Sequence, residues 1–328
     1  MDYKYPTPQL LFKAICDTIR AKTGSNNKII HQNIPDELDN IVLKDYYEEQ
    51  IENISSIYIG TNLNFSINNN DIITIPGYKF DYSNLTTINL PKCTSIGTEA
   101  IANCSNLTTV NLPICTSIGY RAIANCPNLT TVNLPKCTSI GDSAFSSCTS
   151  LTTISFPECT SINAFQSCPN LTTVDLPKCT SISGFKGCTS LTTVNFLECT
   201  TIGNSAFSSC TSLTTVNLPE CTSIGDYAFS NCTNLTTIDL PKCTSIERYA
   251  FNSCTSLTTI ILSNNQVATL KNISAFNNSA TENGSGYIYV PDNLVDSYKS
   301  DTNWSNYANR IKPLSELPSN LKEEYGYD

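Results

Sequence analysis

The chain has 328 residues, 19 basic against 28 acidic for a formal charge of −9, and 40% hydrophobic content. That balance leaves no basic stripe for phosphate-driven nucleic-acid binding, and anionic membranes gain no electrostatic hold on it. No run of 18 apolar residues occurs, and the start MDYKYPTPQLLF has no basic stretch ahead of an apolar core, so neither membrane insertion nor a secretory signal is expected.

Residues 1–44 open the chain. Leu10, Leu11, Ala14, Ile15, Thr18 and Ile19 recur at helical spacing, with Pro8 suited to the first turn and Lys22 and Gly24 to the end. Ile34 to Val42, with Pro35, Asp36 and Glu37 at its head, reads as a second short helix. Two such helices make a cap over whatever follows. The phrase Ala14 to Ile29, followed by Ile34 to Ile41, also resembles an N-terminal segment common in phage and prophage structural proteins. That resemblance implies attachment or particle assembly through residues 1–44.

Residues 45–84 alternate short apolar runs (Ile57 to Ile59; Ile72, Ile73, Ile75) with an Asn-rich turn at Asn68 to Asn70 and a break at Pro76 and Gly77. They are expected to be irregular first turns, with Phe80 near the place of an inward aromatic.

Residues 85–262 are a repeat. Leu85, Leu107, Leu129, Leu151, Leu171, Leu191, Leu213, Leu235 and Leu257 follow one another at steps of 22, except for steps of 20 at Leu171 and Leu191. Within one unit Leu129, Val132, Leu134, Cys137, Ile140, Ala144, Phe145 and Cys148 are apolar, and nearly everything between them is polar. The spacing predicts a short strand over Thr131 to Asn133, ended by Pro135, which has no backbone donor. A turn or short helix through Ala144 and Phe145 then returns the chain. The two short units lose residues at this return. A single unit cannot bury its apolar face, so stacking into a solenoid is required.

The string N-L-P-x-C-T-S-I-G-x-x-A-F-x-x-C, seen at Ile140 to Cys148 and Ile224 to Cys232 in its most regular part, resembles the BspA-like class of bacterial leucine-rich repeats. It covers roughly Tyr82 to Leu262. The resemblance implies an α/β repeat fold: a right-handed leucine-rich-repeat solenoid with a parallel sheet on its concave face, displayed on a bacterial surface and linked to adhesion. Cys in place of an aliphatic residue, and the lack of a visible export signal or anchor, depart from that pattern. Localisation is therefore open between the cell surface and a virion.

Of 17 cysteines, 16 fall in two ladders, one running from Cys93 to Cys243 and the other from Cys104 to Cys254. They are read either as small buried thiols or as bridges between adjacent turns. Side chains in register point in parallel, which favours thiols. With no C-x-x-C pair and a single histidine, His31, no metal site and no cofactor is expected.

After Leu257 the pattern decays into an Asn/Ser-rich loop, Asn277 to Gly286, and recovers as a strand at Tyr287 to Val290. Pro291 to Tyr298 reads as a helix, and Trp304, Tyr307, Ile311 and Leu314 offer anchors for a C-terminal cap within 263–328. Ser319 to Asp328 are expected to fray.

No nucleophile elbow, phosphate loop or unique carboxylate pair appears, so the chain is not expected to be an enzyme. The candidate binding face is the concave sheet, where strand positions three and five give Thr131, Asn133, Thr153, Ser155, Thr173, Asp175, Thr193, Asn195, Thr215, Asn217, Thr237 and Asp239. Uniform hydroxyls and amides suit a repetitive ligand held by many weak contacts, such as a glycan or a host-cell surface; a single protein epitope would call for varied aromatic and Arg anchors.

Overall fold

The computed structural model describes residues 65–68, 73–81 and 84–327. The helices and phage-like segment expected in 1–44, together with Cys16, His31 and most of 45–84, lie outside the described residues.

Each turn of the solenoid carries two short parallel strands. One is the expected strand, as in Thr109–Asn111 and Thr131–Asn133; the other is a second ladder at the T-S-I step, as in Ser117–Ile118 and Ser139–Ile140. Both stack in register, Val110 against Val132 and Ile118 against Ile140. The second ladder was not expected, because two residues are too few to display a period of two. Between the ladders lies a core in which Leu129, Leu134, Cys137, Phe145 and Cys148 are at most 1% exposed.

In the regular units the return is a series of turns, and only the last return forms a short 3-10 helix, Ile273–Phe276. In most turns two residues, such as Ser143 (φ 58°) and Ser147 (φ 59°), adopt left-handed backbone, and their amides bond the next turn at Asn163 O and Gln166 O. Gly141 is required by crowding. A Cβ there would lie 2.5 Å from the carbonyl carbon of Gly119, and one on Gly119 would lie 2.6 Å from that of Gly97. The backbones of successive turns touch along this glycine column.

Aromatic rings fill the return side of the core as a single stack. Phe145, Phe165, Phe185, Phe207, Phe229, Phe251 and Phe276 follow one another at centroid distances of 5.2 to 5.6 Å. Phe276 extends the repeat beyond the point where the sequence pattern decays. Thr269–Leu270 likewise continues the second ladder, pairing with Ser245–Ile246. An insertion between Leu262 and Thr269 hides this turn from a fixed-period alignment.

The concave ladder is interrupted twice. It runs unbroken to Thr131–Asn133, restarts as the pair Thr153–Ser155 and Thr173–Asp175, and resumes from Thr193–Asn195 to Ile311–Pro313. Both breaks fall where the repeat length changes between 22 and 20. Val132 and Val174, beside those breaks, are only half-buried, unlike Val110, Val194 and Val216. Val132 is therefore a partial exception to the inward apolar set.

The C-terminal region caps the stack. Tyr287–Val290 adds a strand, helix α1 (Val295–Ser300) follows it, and a 3-10 helix spans Trp304–Arg310. Trp304 and Tyr307 close the aromatic column, Trp304 at 6.0 Å from Phe276 and Tyr307 edge-on to it at 5.3 Å. The Trp304 indole donates to Ala268 O at 2.6 Å, so the cap core holds it. The segment expected to fray instead forms helix α2 (Ser319–Tyr325), ended by Gly326 in the left-handed region. Its Leu321 and Tyr325, with Tyr327 beyond it, pack on Ile261, Tyr289 and Leu317.

Candidate functional site

The face nominated from the sequence is built by the first ladder. Alternation in the strand sends Ile154 and Val216 inward and leaves Thr153, Ser155, Thr215 and Asn217 exposed. Parallel pairing in register then aligns Thr153 with Thr173, Thr193 with Thr215 and Asn195 with Asn217, like on like, and sets Ser155 beside Asp175.

Position five forms side-chain ladders. Asn133 donates to Asn111 Oδ1 at 2.6 Å and Asn217 to Asn195 Oδ1 at 2.8 Å, while Ser155 donates to Asp175 Oδ2 at 2.7 Å. Asn133 and Asn217 each use one N–H on the neighbouring carboxamide and keep a second N–H for solvent or ligand. At position two, the hydroxyls of Thr130, Thr172 and Thr214 donate to backbone carbonyls one turn back at 3.1 to 3.2 Å. Those hydroxyls are already committed as donors.

The structure does not join the twelve nominated residues into one strip. Thr131 and Asn133 end the first sheet, Thr153, Ser155, Thr173 and Asp175 form the isolated pair, and Thr193, Asn195, Thr215 and Asn217 begin the third. Thr237 and Asp239 are half-buried. Tyr327 donates to Asp239 Oδ1 at 2.8 Å, and burial pushes the Asp239 carboxyl up to about 6 against the lowering effect of that bond. One turn on, the face becomes apolar with Ile261 and Tyr289, and the tail covers it. Sequence reading missed this end of the face, although Ile261 in place of Asn or Asp was a visible signal.

The cysteine ladders are not passive filling. All sixteen are free and buried. In the first ladder the thiol closes its own turn, Cys159 Sγ donating to Ser161 O at 3.0 Å and Cys199 Sγ to Thr201 O at 3.3 Å. In the second it ties turn to turn, as Cys232 donates to Phe207 O at 3.2 Å and Cys254 to Phe229 O at 3.0 Å. Burial pushes the Cys210 and Cys254 thiols up to about 12. Among the described residues no group of three His, Cys, Asp or Glu is placed to hold a metal ion, and no helix is long and apolar enough to cross a membrane.

Stacked turns with in-register Leu, Val and Ile rows and a polar parallel sheet define a leucine-rich-repeat solenoid. Residues 73–184 and 180–295 match the model of the BspA type leucine rich repeat region, in six copies, and the chain belongs to that family. Solved structures of similar architecture include a leucine rich cell surface protein from Faecalibacterium prausnitzii, 22% identical over 67% of this chain and 86% of that one, with a TM-score of 0.35. A leucine-rich repeat protein from Bacteroides ovatus is 20% identical over 76% of this chain and 83% of that one, with a TM-score of 0.32. The pneumococcal vaccine antigen PcpA is 15% identical over 73% and 69%, with a TM-score of 0.42. No curated protein sequence matches the chain.

Proposed function

We propose that the chain is a non-catalytic recognition module that binds a repetitive surface ligand, a glycan or a host-cell surface, through the exposed part of its concave sheet. The supporting observation is the ladder of like on like, in which Thr193, Asn195, Thr215 and Asn217 present the same hydroxyls and carboxamides on successive turns. A ligand with its own repeat can meet such a surface at several rungs at once, and many weak contacts then sum to useful avidity. The protein has a scaffold for this and no catalytic constellation among its described residues. The test is binding of the full chain to immobilised bacterial and host polysaccharides and to intact cells. Saturable binding, weakened at least tenfold by Asn195→Ala with Asn217→Ala, supports the reading. Binding that is absent, or indifferent to those substitutions, overturns it. Residues 1–44 are proposed as the attachment segment; co-sedimentation with particles, lost on their deletion, is the outcome for a structural component.

A further inference from the structure

Away from the concave sheet, the last return turn and the cap line a half-open cleft of about 340 Å³. Ile273 and Asn277 come from the return, Glu282 from the loop after it, and Asn306, Asn309 and Arg310 from the 3-10 helix. The cleft is anchored to the core through Tyr307, whose hydroxyl donates to Ile273 O while its ring packs edge-on against Phe276.

The polar groups divide into two kinds. Both charged ones are held by backbone: Arg310 Nη1 donates to Gly284 O at 2.6 Å, and Glu282 Oε2 accepts from Asn278 N at 2.5 Å. Asn306 similarly donates to Asn303 O at 3.0 Å, which leaves its Oδ1 available as an acceptor. The carboxamides of Asn277 and Asn309, by contrast, have no partner among the described residues. Ile273, 48% exposed, supplies an apolar wall beside them.

We propose that this cleft binds a single neutral sugar ring. A carboxamide donates and accepts at once, as a sugar hydroxyl does, and two uncommitted carboxamides can each grip a pair of neighbouring hydroxyls. The apolar Ile273 wall suits the C–H face of a pyranose. One carboxylate and one guanidinium leave no net charge to select an ion, and their engagement by backbone weakens any claim by a zwitterion. The volume lies at the low end of the range for small-molecule sites, which fits one ring rather than a chain. The site is separate from the concave sheet and does not depend on what that sheet binds.

The experiment is saturation-transfer NMR on the full chain with glucose, galactose, mannose and N-acetylglucosamine at millimolar concentration, repeated with glutamate as a zwitterionic control. The expected result is saturation of the ring protons of at least one sugar, reduced at least tenfold in Asn277→Ala/Asn309→Ala with an unchanged melting temperature. Both side chains lie outside the core, and each single variant checks the fold separately. The Asn195→Ala/Asn217→Ala variant of the sheet should keep the full sugar signal. Saturation of none of the sugars, displacement of a sugar by glutamate, or a signal that survives in the double cleft variant overturns the proposal.

Discussion

Tyr327 donates a 2.8 Å hydrogen bond to Asp239, 88 residues earlier in the chain, while its hydroxyl also lies 2.7 Å from Ser263 Oγ. This contact fastens the C-terminal segment onto the concave sheet, where Leu321, Tyr325 and Tyr327 cover Ile261 and Tyr289. A face that is uniformly polar from Thr131 to Asn217 thus ends under a lid of the chain's own residues.

Desolvation raises the Asp239 carboxyl to about 6, above the unfolded value, and outweighs the lowering effect of the Tyr327 bond. The folded state therefore binds more protons than the unfolded state between about pH 4 and 6. The stability tied to this proton is present below about pH 4 and lost as pH rises through 6. The melting-temperature advantage of Asp239→Asn over the native protein should accordingly grow from pH 4 to pH 7. Parallel curves for the two proteins would show that Asp239 does not titrate in this range.

Tyr327→Phe removes the donor and leaves the ring in place. A hydrogen bond to a charged group contributes about 1.5 to 3 kcal/mol, and half-exposure places this one at the lower end. Amide hydrogen exchange in α2 (Ser319–Tyr325) should accelerate several-fold while the strands around Phe207 and Phe229 keep their protection. Unchanged exchange in α2 would show that apolar packing alone holds the segment.

Phe229 is fully buried between Phe207 at 5.4 Å and Phe251 at 5.5 Å. Phe229→Ala should cost about 3 to 5 kcal/mol in denaturant unfolding, and Phe229→Asp should open the adjoining turns as well. Thr214→Ala breaks only an exposed 3.2 Å bond to Thr192 O and should cost about 0.5 kcal/mol. Similar losses for the Phe229 and Thr214 variants would contradict the facing of the turn.

The repeat cysteines should be inert in the folded protein. Thiols pushed up to about 12, as at Cys210 and Cys254, offer almost no thiolate at pH 8, and burial blocks the reagent. Iodoacetamide should label none of the sixteen natively and all of them after denaturation without a reductant. Labelling that requires a reductant would show bridges between turns instead.

Much of the fold was legible in the sequence because the apolar set recurs at a fixed period. Leu129, Leu134, Ile140 and Phe145 announce a turn that can be buried only by its neighbours, and the alternation around Val132 identifies the strand and its exposed positions. The Gly141 column was visible as a pattern without its reason, which is backbone contact between turns. The last turn, from Leu257 to Phe276, was obscured because an insertion moved Thr269–Leu270 out of phase.

What the sequence by itself determined is the stack, its register and the residues it turns outward as far as Asn217, since all three follow from local periodicity and the need of each turn for the next. The tertiary structure alone decided the breaks at Asn133 and Asp175, the covering of Asp239 by Tyr327, and the cleft beside Ile273. These depend on how turns of unequal length meet and on where residues distant in sequence come to rest, and neither is written in any single repeat.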